Sequence, residues 1–226
     1  MSITKNIVAL VPMRHFSERV VGKNYREMAG KPLFHYIIET LAQCEEISKI
    51  IVDTDSPTII KGLATHFPDG VVLERPEHLC DDKIPMNEIL LYDTAQVEAD
   101  YYLQTHSTNP LLKTETISKA IQTFYDNNKD YDSLFSVTAW HTRLYDENGK
   151  AINHNPNELL RTQDLPPVYE ENSCIYIFNR QTLVERNHRL GNKPMMFEID
   201  SREAMDIDEE IDFSLTEFLA NQYKNN

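Results

Sequence analysis

A short polar segment near the start of the chain carries a high density of positive charge. Arg14, Arg19 and Lys23 place three cations within ten residues, and Ser17 and Asn24 add a hydroxyl and an amide. The whole chain, in contrast, holds 22 Lys and Arg against 36 Asp and Glu, a formal net charge of −14. Guanidinium and ammonium groups beside loop N–H donors suit a polyphosphate. The alternative is a solvated basic turn that nearby acids offset, and the residue types alone leave both interpretations open.

A second set of polar groups lies near the end of the chain. Asp206 and Asp208 are one residue apart, and alternation in an extended segment points two such side chains in the same direction. Carboxylate oxygens, together with a substrate phosphate, are the ligands that Mg2+ prefers. Asp208 has an alternative role as the cap of a final helix, with Glu209 and Glu210 in the first turn. Because that alternative leaves Asp206 unexplained, we favour a metal site.

Three further candidates lie where predicted strands end. Asp55 follows one strand, and it also fits as the cap of a helix opened by Pro57. Gln104 ends another strand, and its amide can donate to and accept from a sugar hydroxyl or carboxylate. A satisfied strand-end amide explains Gln104 nearly as well. His106 adds a titratable group in the loop that follows, although a single His is more often structural.

These candidates need a sheet to bring them together, because ligands of open α/β sheets bind beyond the carboxyl ends of the strands. Short β-branched runs alternate with amphipathic stretches through the first 138 residues, which is typical of βαβ units in a mostly parallel sheet. We therefore predict a single α/β domain over residues 1–226. Its expected strands are 7–11, 49–52, 71–73, 101–103, 133–138, 174–178 and 195–199, and its expected helices are 32–43, 57–66, 87–96, 114–127, a short one after 179, and 209–222.

The βα rhythm stops after Thr138. Asp146-Glu147-Asn148-Gly149 is a turn signal, and alternation is poor until Pro166-Pro167, so we interpret residues 140–167 as an insertion. It is too long for an ordinary connection, and it carries apolar side chains that a surface loop does not usually expose. Those side chains are Trp140, Leu144, Leu159, Leu160, Leu165 and Val168. We expect the insertion to join two protomers; the alternative is that it folds back onto its own core.

Composition excludes several classes of protein. A chain of 226 residues is long enough for a full hydrophobic core. The acidic net charge argues against a nucleic-acid binder, which needs a basic surface, and no apolar run approaches the roughly 18–20 residues of a membrane span. The three isolated cysteines and the lack of a signal-peptide pattern predict a cytoplasmic protein.

The first polar segment begins a series of motifs. Pro12-Met13-Arg14-His15-Phe16-Ser17-Glu18-Arg19-Val20-Val21-Gly22-Lys23-Asn24 is followed by Gly30-Lys31-Pro32-Leu33. Later stretches are Ile51-Val52-Asp53-Thr54-Asp55, Arg75-Pro76 with Asp82, and residues 103–111, 163–167, 171–177 and 204–213. In order and spacing, this series resembles the cytidylyltransferases that make CMP-activated acidic sugars, the CMP-N-acetylneuraminate synthetases and their relatives the CMP-Kdo synthetases.

The resemblance implies a Rossmann-like nucleotidyltransferase fold, with helices on both faces of the sheet and an inserted segment that forms a homodimer and caps the substrate. It also implies a reaction in which the anomeric hydroxyl of a 2-keto sugar acid attacks the α-phosphate of CTP and releases pyrophosphate. Such a reaction needs charge neutralisation and alignment more than covalent chemistry from the protein.

Roles for individual residues follow from the same resemblance. Arg14 and Lys23 are implied as catalytic groups, and Lys23 is the best candidate for stabilising charge in the transition state. CTP contacts are implied for Arg14, Ser17, Arg19, Lys23, Asn24 and Arg75. Sugar contacts are implied for Gln104 and Asn172, with Arg143 and Arg161 lent by the partner protomer. The implied metal is Mg2+, for which Mn2+ can substitute, on Asp206 and Asp208.

Alternatives from other classes remain open at this point. The substrate could be a Kdo-type sugar or another acid such as a phosphonate. The chain could also be a nucleotide-binding regulatory module without turnover, or an interaction protein whose basic loop is incidental. Stabilisation by CTP with Mg2+ distinguishes the last two from each other.

Overall fold

The computed structural model describes residues 6–224, whose centre is a seven-stranded sheet flanked by six helices. In chain order, the strands are β1 (Ile7–Leu10), β2 (Glu27–Met28), β3 (Lys31–Pro32), β4 (Ile47–Thr54), β5 (Val71–Glu74), β6 (Tyr101–Gln104), β7 (Ser133–Trp140), β8 (Val168–Phe178) and β9 (Pro194–Glu198). The helices are α1 (Leu33–Ala42), α2 (Pro57–His66), α3 (Met86–Gln96), α4 (Thr114–Asn127), α5 (Arg180–Arg186) and α6 (Glu210–Lys224).

The central sheet is mostly parallel, as the alternation of elements predicts. Its order is β5-β4-β1-β6-β8-β7-β9, and β8 runs antiparallel to both of its neighbours. From β1 the chain moves outward through β4 and β5, and then returns to place β6 on the other side of β1. This reversal opens a crevice at the carboxyl ends of β1 and β6, where ligands of such sheets bind.

Helices cover both faces of the sheet, which confirms the predicted layers. Ile7 and Ala9 of β1 pack in the same core as residues of α1, α2 and α4. Val8 and Leu10 point the other way and pack with residues of α3 and α5. Neighbouring β1 residues point to opposite faces of the sheet and all four are buried, as a strand covered on both faces requires.

The last helix holds the first polar loop in place. Phe213 and Ala220 of α6 pack with Val20 of that loop and with Met28 of the short β2–β3 hairpin. The Arg26 guanidinium lies 4.1 Å from the centre of the Phe213 ring and pairs with Glu210. Residues about 190 positions apart are thereby packed against one another beside this loop.

Strand β8 is longer than the sequence predicts. We expected a strand at 174–178, but β8 begins at Val168 and pairs with β7 as far as Trp140. The pairing register shifts between Phe135 and Val137, and Ser173 has a φ of 59°. Such a bulge breaks the period-two pattern on which the prediction rested.

The predicted insertion, residues 140–167, corresponds to the connection between β7 and β8, which spans residues 141–167 because Trp140 is the last residue of β7. Its turn at Asp146 is confirmed: the Asp146 carboxylate accepts from the N–H groups of Asn148 and Lys150, both at 2.9 Å. Tyr145 and Ala151 form a bridge across that turn. Leu165 is only 5% exposed, so it belongs to the chain's own core, contrary to our expectation, whereas Leu159 is 94% exposed.

Within residues 6–224, none of the helices has the length and apolar character that a membrane span requires.

Candidate active site

A cavity of about 430 Å3 lies in the crevice at the carboxyl ends of β1 and β6. It contains nine of the residues that the sequence singles out. They are Arg14, Ser17, Arg19, Lys23, Asn24, Arg75, His106, Asp206 and Asp208. The cations after β1 and the acids before α6, far apart in sequence, therefore face one space.

The loop after β1 is fixed by its own polar side chains. Asn24 donates to the Arg14 carbonyl oxygen at 2.8 Å and accepts from the Ser107 hydroxyl at 2.7 Å, so it ties this loop to the loop after β6. Asp55 accepts from the backbone N–H of His15 at 2.6 Å. Asp55 therefore shapes the loop, and it does not line the cavity.

The expected capping role of Asp55 is wrong. The cap of α2 is Ser56, whose hydroxyl accepts from the N–H of Ile59 at 3.4 Å. The same hydroxyl lies 2.8 Å from Nδ1 of His15. Pro57 opens the helix as predicted, but the residue directly before it is the one whose side chain reaches the first turn.

Gly22 allows Lys23 to enter the cavity. Its φ of 66° lies in the left-handed region, and a Cβ at this position would lie 2.8 Å from the Tyr25 ring. A glycine therefore begins the short helical turn Lys23–Tyr25. The Lys23 ammonium then donates to the Ile207 carbonyl oxygen and lies 3.8 Å from the Asp208 carboxylate.

Charges of both signs are in contact in this cavity. Arg19 pairs with Asp208 at 2.7 Å. Burial lowers the pKa of Lys23, while the carboxylates of Asp206 and Asp208 oppose that shift. The residues that line the cavity include four cations, Arg14, Arg19, Lys23 and Arg75, and five acids, among them Asp206 and Asp208, a mixture suited to a phosphate chain that carries a metal ion.

Asp206 and Asp208 share one side of their segment, as their spacing predicts. Both line the cavity, and Ile207 between them is buried. The N–H of Ile207 donates to the Thr108 carbonyl oxygen at 3.0 Å, and Asn109 donates to the Met205 carbonyl oxygen at 3.3 Å. The segment is therefore attached to the loop after β6.

This pair has the donor chemistry for a hard divalent cation. Although Asp206 faces the cavity, partial removal from water raises its pKa and Asp208 adds to that effect, so a nearby cation would relieve both. Among residues 6–224, no group of three or more His, Cys, Asp or Glu is placed to hold a metal. Two carboxylates with phosphate and water oxygens match the way Mg2+ is usually held.

Gln104 forms hydrogen bonds with His106 and with Arg189, a residue that the sequence analysis did not single out. The Gln104 side-chain oxygen accepts from Arg189, so its NH2 group faces Nε2 of His106 at 2.9 Å. Nε2 of His106 is then an acceptor, and the ring proton belongs on Nδ1. Burial, followed by the charges of Arg189 and Lys23, lowers the His106 pKa to about 3, so the ring is neutral at pH 7.

Asn172 supports the bulge of β8. Its side-chain oxygen accepts from the Ser136 hydroxyl at 2.5 Å and from the N–H of Cys174 at 3.3 Å, and its NH2 group donates to the Thr138 hydroxyl at 2.9 Å. The neighbouring Ser173, with its positive φ, lines the cavity instead. Neither Asn172 nor Gln104 is among the cavity residues.

Arg143 and Arg161 lie on the insertion, away from the cavity of their own protomer. Arg143 donates to the Leu160 carbonyl oxygen, and Arg161 forms a two-point pair with Asp164 at 2.7 and 3.0 Å. Both contacts are local to the insertion.

Several cavity residues were not named individually as site candidates from the sequence. They are Asp81, Ile84, Met86, Ile89, Thr108 and Ser173. Four of them come from the turn before α3 or from its first turns, a segment predicted as an irregular stretch that leads into the helix at 87–96. The Arg75-Pro76 motif was the signal that this segment approaches the site.

Comparison with known proteins decides the family. A family model described as "Cytidylyltransferase" matches residues 8–225. The chain belongs to the cytidylyltransferase family. This cytidylyltransferase is 30% identical over 227 residues to the CMP-N,N'-diacetyllegionaminic acid synthase of Legionella pneumophila, with 94% of this chain and 95% of the relative covered. It is 28% identical over 223 residues to the post-translational flagellin modification protein B of Campylobacter coli, with 94% of each covered.

Solved structures agree on the fold. The cytidylyltransferase superposes on a CMP:2-keto-3-deoxy-manno-octonic acid synthetase complexed with CTP with a TM-score of 0.71. The two are 17% identical, and the match covers 96% of this chain and 99% of the other. This confirms the predicted nucleotidyltransferase fold.

Proposed function

We propose that this cytidylyltransferase activates a sialic acid-like nonulosonic acid, a 2-keto-3-deoxy sugar acid, with CTP to give the CMP-sugar and pyrophosphate. The observation that carries the proposal is the cavity itself, in which Arg14, Arg19 and Lys23 face Asp206 and Asp208. Family membership supports cytidylyl transfer, and the name of the relative at 30% identity, a CMP-N,N'-diacetyllegionaminic acid synthase, supports a sialic acid-like sugar acid.

The basic loop would hold the triphosphate. Arg14 and Lys23 are the catalytic groups in this proposal, since charge gathers on the α-phosphate and on the departing pyrophosphate. Arg19 is 61% exposed and able to exchange its Asp208 partner for a phosphate oxygen. Ser17 and Arg75 add contacts from the cavity wall, and Asn24 holds the loop that carries Arg14.

Asp206 and Asp208 would hold Mg2+, or Mn2+ in its place. When bound, the ion would neutralise part of the phosphate charge and help align the substrates. The protein's contribution is the fixed position of the two carboxylates. Asp212 secures it by accepting from the N–H groups of Asp208 and Glu209, at 3.1 and 2.8 Å.

The sugar acid would lie beside the loop after β6. Gln104 and Asn172 are proposed to act there, by orienting His106 and Ser173 as well as by any direct contact. Among the residues that the structure describes, the Lys and Arg side chains that line the cavity are Arg14, Arg19, Lys23 and Arg75, all of which the proposal assigns to CTP. We therefore propose that Arg143 and Arg161 of the partner protomer hold the sugar carboxylate.

A homodimer joined through residues 140–167 follows from that proposal. The insertion exposes apolar side chains that a partner would cover, among them Ile152, Leu159 and Leu160 at 62, 94 and 46%. A two-fold interface would carry each insertion to the other protomer's cavity. We also propose that the enzyme works in the cytoplasm, where CTP is available.

The test is a substrate screen that measures pyrophosphate release. Purified protein with CTP and Mg2+ is incubated separately with N-acetylneuraminic, legionaminic, pseudaminic and Kdo-type acids. We expect release with at least one nine-carbon acid and much less with the Kdo type. The strongest release with a Kdo-type acid would replace the proposed substrate by its eight-carbon alternative, and release with none of them would contradict the proposal.

A further inference from the structure

Three ionisable side chains form a buried cluster behind the cavity. Asp53 of β4 and Asp93 of α3 are fully buried, and the side chain of Arg75, just after β5, is 4% exposed. Arg75 donates through Nε to the Asp53 carboxylate, and its NH2 group lies 3.4 Å from the Asp53 carbonyl oxygen. Arg75 also lines the cavity, so this cluster connects the core to the site.

The charges of the cluster do not balance if both acids are ionised. Two carboxyl groups share a single guanidinium, and Asp93 lies within hydrogen-bonding range of Asp53. Both oxygens of Asp93 and Oδ2 of Asp53 have no donor from any described residue. A second buried carboxylate without a donor is strongly unfavourable, whereas one proton between the two acids supplies the missing hydrogen bond.

We propose that Asp93 and Asp53 share one proton at neutral pH, and that the resulting pair of a neutral acid and a carboxylate positions Arg75 against the nucleotide. Asp93 and Asp53 are positioning residues in this arrangement, and Arg75 is the group that would touch the phosphate. The second half of this inference rests on the proposed function, because it assumes that CTP occupies the cavity.

Local electrostatics agree with the shared proton. Burial, followed by the charge of Asp53, raises the pKa of Asp93 to about 9. Burial also raises the pKa of Asp53, against the opposing effect of Arg75. The other ionisable groups that face the cluster are Asp55, from the loop after β4, and Cys80, from the turn after Arg75; the negative charge of Asp55 favours retention of the proton.

The shared proton is tested by the pH dependence of folding without nucleotide. In the unfolded chain Asp93 ionises near pH 4, whereas in the folded protein it keeps its proton to about pH 9. Rising pH between these values must therefore weaken folding of the wild type relative to Asp93→Asn, which cannot ionise and can still donate to Asp53. We expect the ratio of their folding constants, from urea denaturation at pH 5.5, 6.5 and 7.5, to change by about tenfold per pH unit.

A ratio that stays constant with pH would overturn the shared proton. If Asp93→Asn does not fold, the infrared spectrum of the wild type at pH 7 decides. A protonated buried carboxyl has a C=O stretch separate from that of carboxylates, and its absence would also overturn the inference.

The positioning of Arg75 is tested by Asp53→Asn, which removes the carboxylate but preserves the shape of the side chain. We expect the dissociation constant for CTP to rise by about tenfold or more, as is typical when a buried charged hydrogen bond is lost. The KM for the sugar acid should change much less, a split that general destabilisation would not produce. Asp69→Asn, an exposed aspartate on the surface, is the matched control.

The two binding outcomes separate this inference from the proposed function. Folded Asp53→Asn protein that binds CTP as tightly as the wild type overturns the positioning of Arg75 alone. A wild type that fails to bind CTP overturns the proposed function and the positioning with it, while the denaturation experiment still decides the shared proton.

Discussion

Lys23 is the residue on which the proposed chemistry depends most. It is 13% exposed, it approaches Asp208 at 3.8 Å, and its loop is set by the left-handed turn at Gly22. An ammonium in this position can stabilise the negative charge that shifts from the α-phosphate to the leaving pyrophosphate.

We expect Lys23→Met to lower kcat by about 100-fold, the usual effect of removing one charge contact made in the transition state. Steady-state pyrophosphate release at saturating CTP measures it. The control is Lys129→Met, which changes an exposed lysine in the turn between α4 and β7 and should leave the rate unchanged. A rate for Lys23→Met within twofold of the wild type would show that the basic loop is only a solvated turn.

Asp206 and Asp208, the two acids before α6, are the proposed ligands of Mg2+. Asp206→Asn should raise the Mg2+ concentration needed for half-maximal activity by at least about 10-fold, since even losing a partner of a metal ligand typically weakens metal binding by about 10- to 100-fold. The measurement is a Mg2+ titration of the reaction rate. Asp200→Asn is the control, because that aspartate pairs with Arg202 and does not line the cavity. Identical titrations for the two variants would place the metal elsewhere.

Individual residues could be assigned to the site from the sequence where a motif joins residue type to spacing. Arg14, Lys23, Asp206 and Asp208 all reach the cavity. Arg189 could not be found, because its contact with Gln104 spans 85 positions and depends on how α5 leads into β9. The Arg189 guanidinium also stacks on the Tyr176 ring, 3.4 Å from its centre, and no local sequence pattern predicts this contact.

The N-terminus of helix α2 contributes to the stability of the fold. Its cap, Ser56, bonds both to the first turn and to His15 of the basic loop, so it joins helix stability to loop position. We expect Ser56→Ala to lower the free energy of unfolding by about 1 kcal/mol, and Tm by about 2–4 °C. Thr58→Ala, at an exposed position of the same helix, is the control and should change stability by less than about 0.5 kcal/mol. Equal effects of the two changes would contradict the assignment of the cap.

The exposed apolar side chains of the insertion provide a test of the proposed dimer. If residues 140–167 form the proposed dimer interface, Leu159→Ser should weaken dimerisation, because a side chain that is 94% exposed in the single chain would lose its apolar contact. Sedimentation velocity over a dilution series measures the change. Val184→Ser, a half-exposed position on α5, should leave the dimer intact. A wild type that sediments as a fully active monomer would reject the dimer and the borrowed arginines.

Elements were predictable where apolar periodicity is unbroken. Helices α2 and α4 have the predicted bounds, since Ser56-Pro57 and Asn127-Asn128 mark their ends in the sequence. The outer half of β8 was missed because the bulge around Ser173 offsets its alternation. The bulge is held by Asn172 through Ser136 and Thr138, contacts that exist only after β7 and β8 have paired.

The fold of the whole molecule brings five separate stretches to one end of the sheet. The loops after β1 and β6, the segment from Arg75 to the first turns of α3, Ser173 of β8 and the segment before α6 line a single cavity, although they span almost 200 residues of the chain. Strand order explains this, since the reversal between β1 and β6 leaves the crevice open at their carboxyl ends. The order of βα units predicted that edge, whereas the contribution of α3 to the cavity wall, through Met86 and Ile89, was not predicted.

If the protein transfers a cytidylyl group from CTP to a sugar acid at this cavity, the α-phosphorus of CTP must move to the sugar. CTP labelled at the α-phosphorus is incubated with the protein, Mg2+ and the best sugar acid of the screen, and the products are separated. We expect the label to move to a CMP-sugar, a parallel sample labelled at the γ-phosphorus to yield labelled pyrophosphate, and chelation of the metal to stop both. Label that stays in CTP, or that appears in CMP or CDP without joining the sugar, would contradict it.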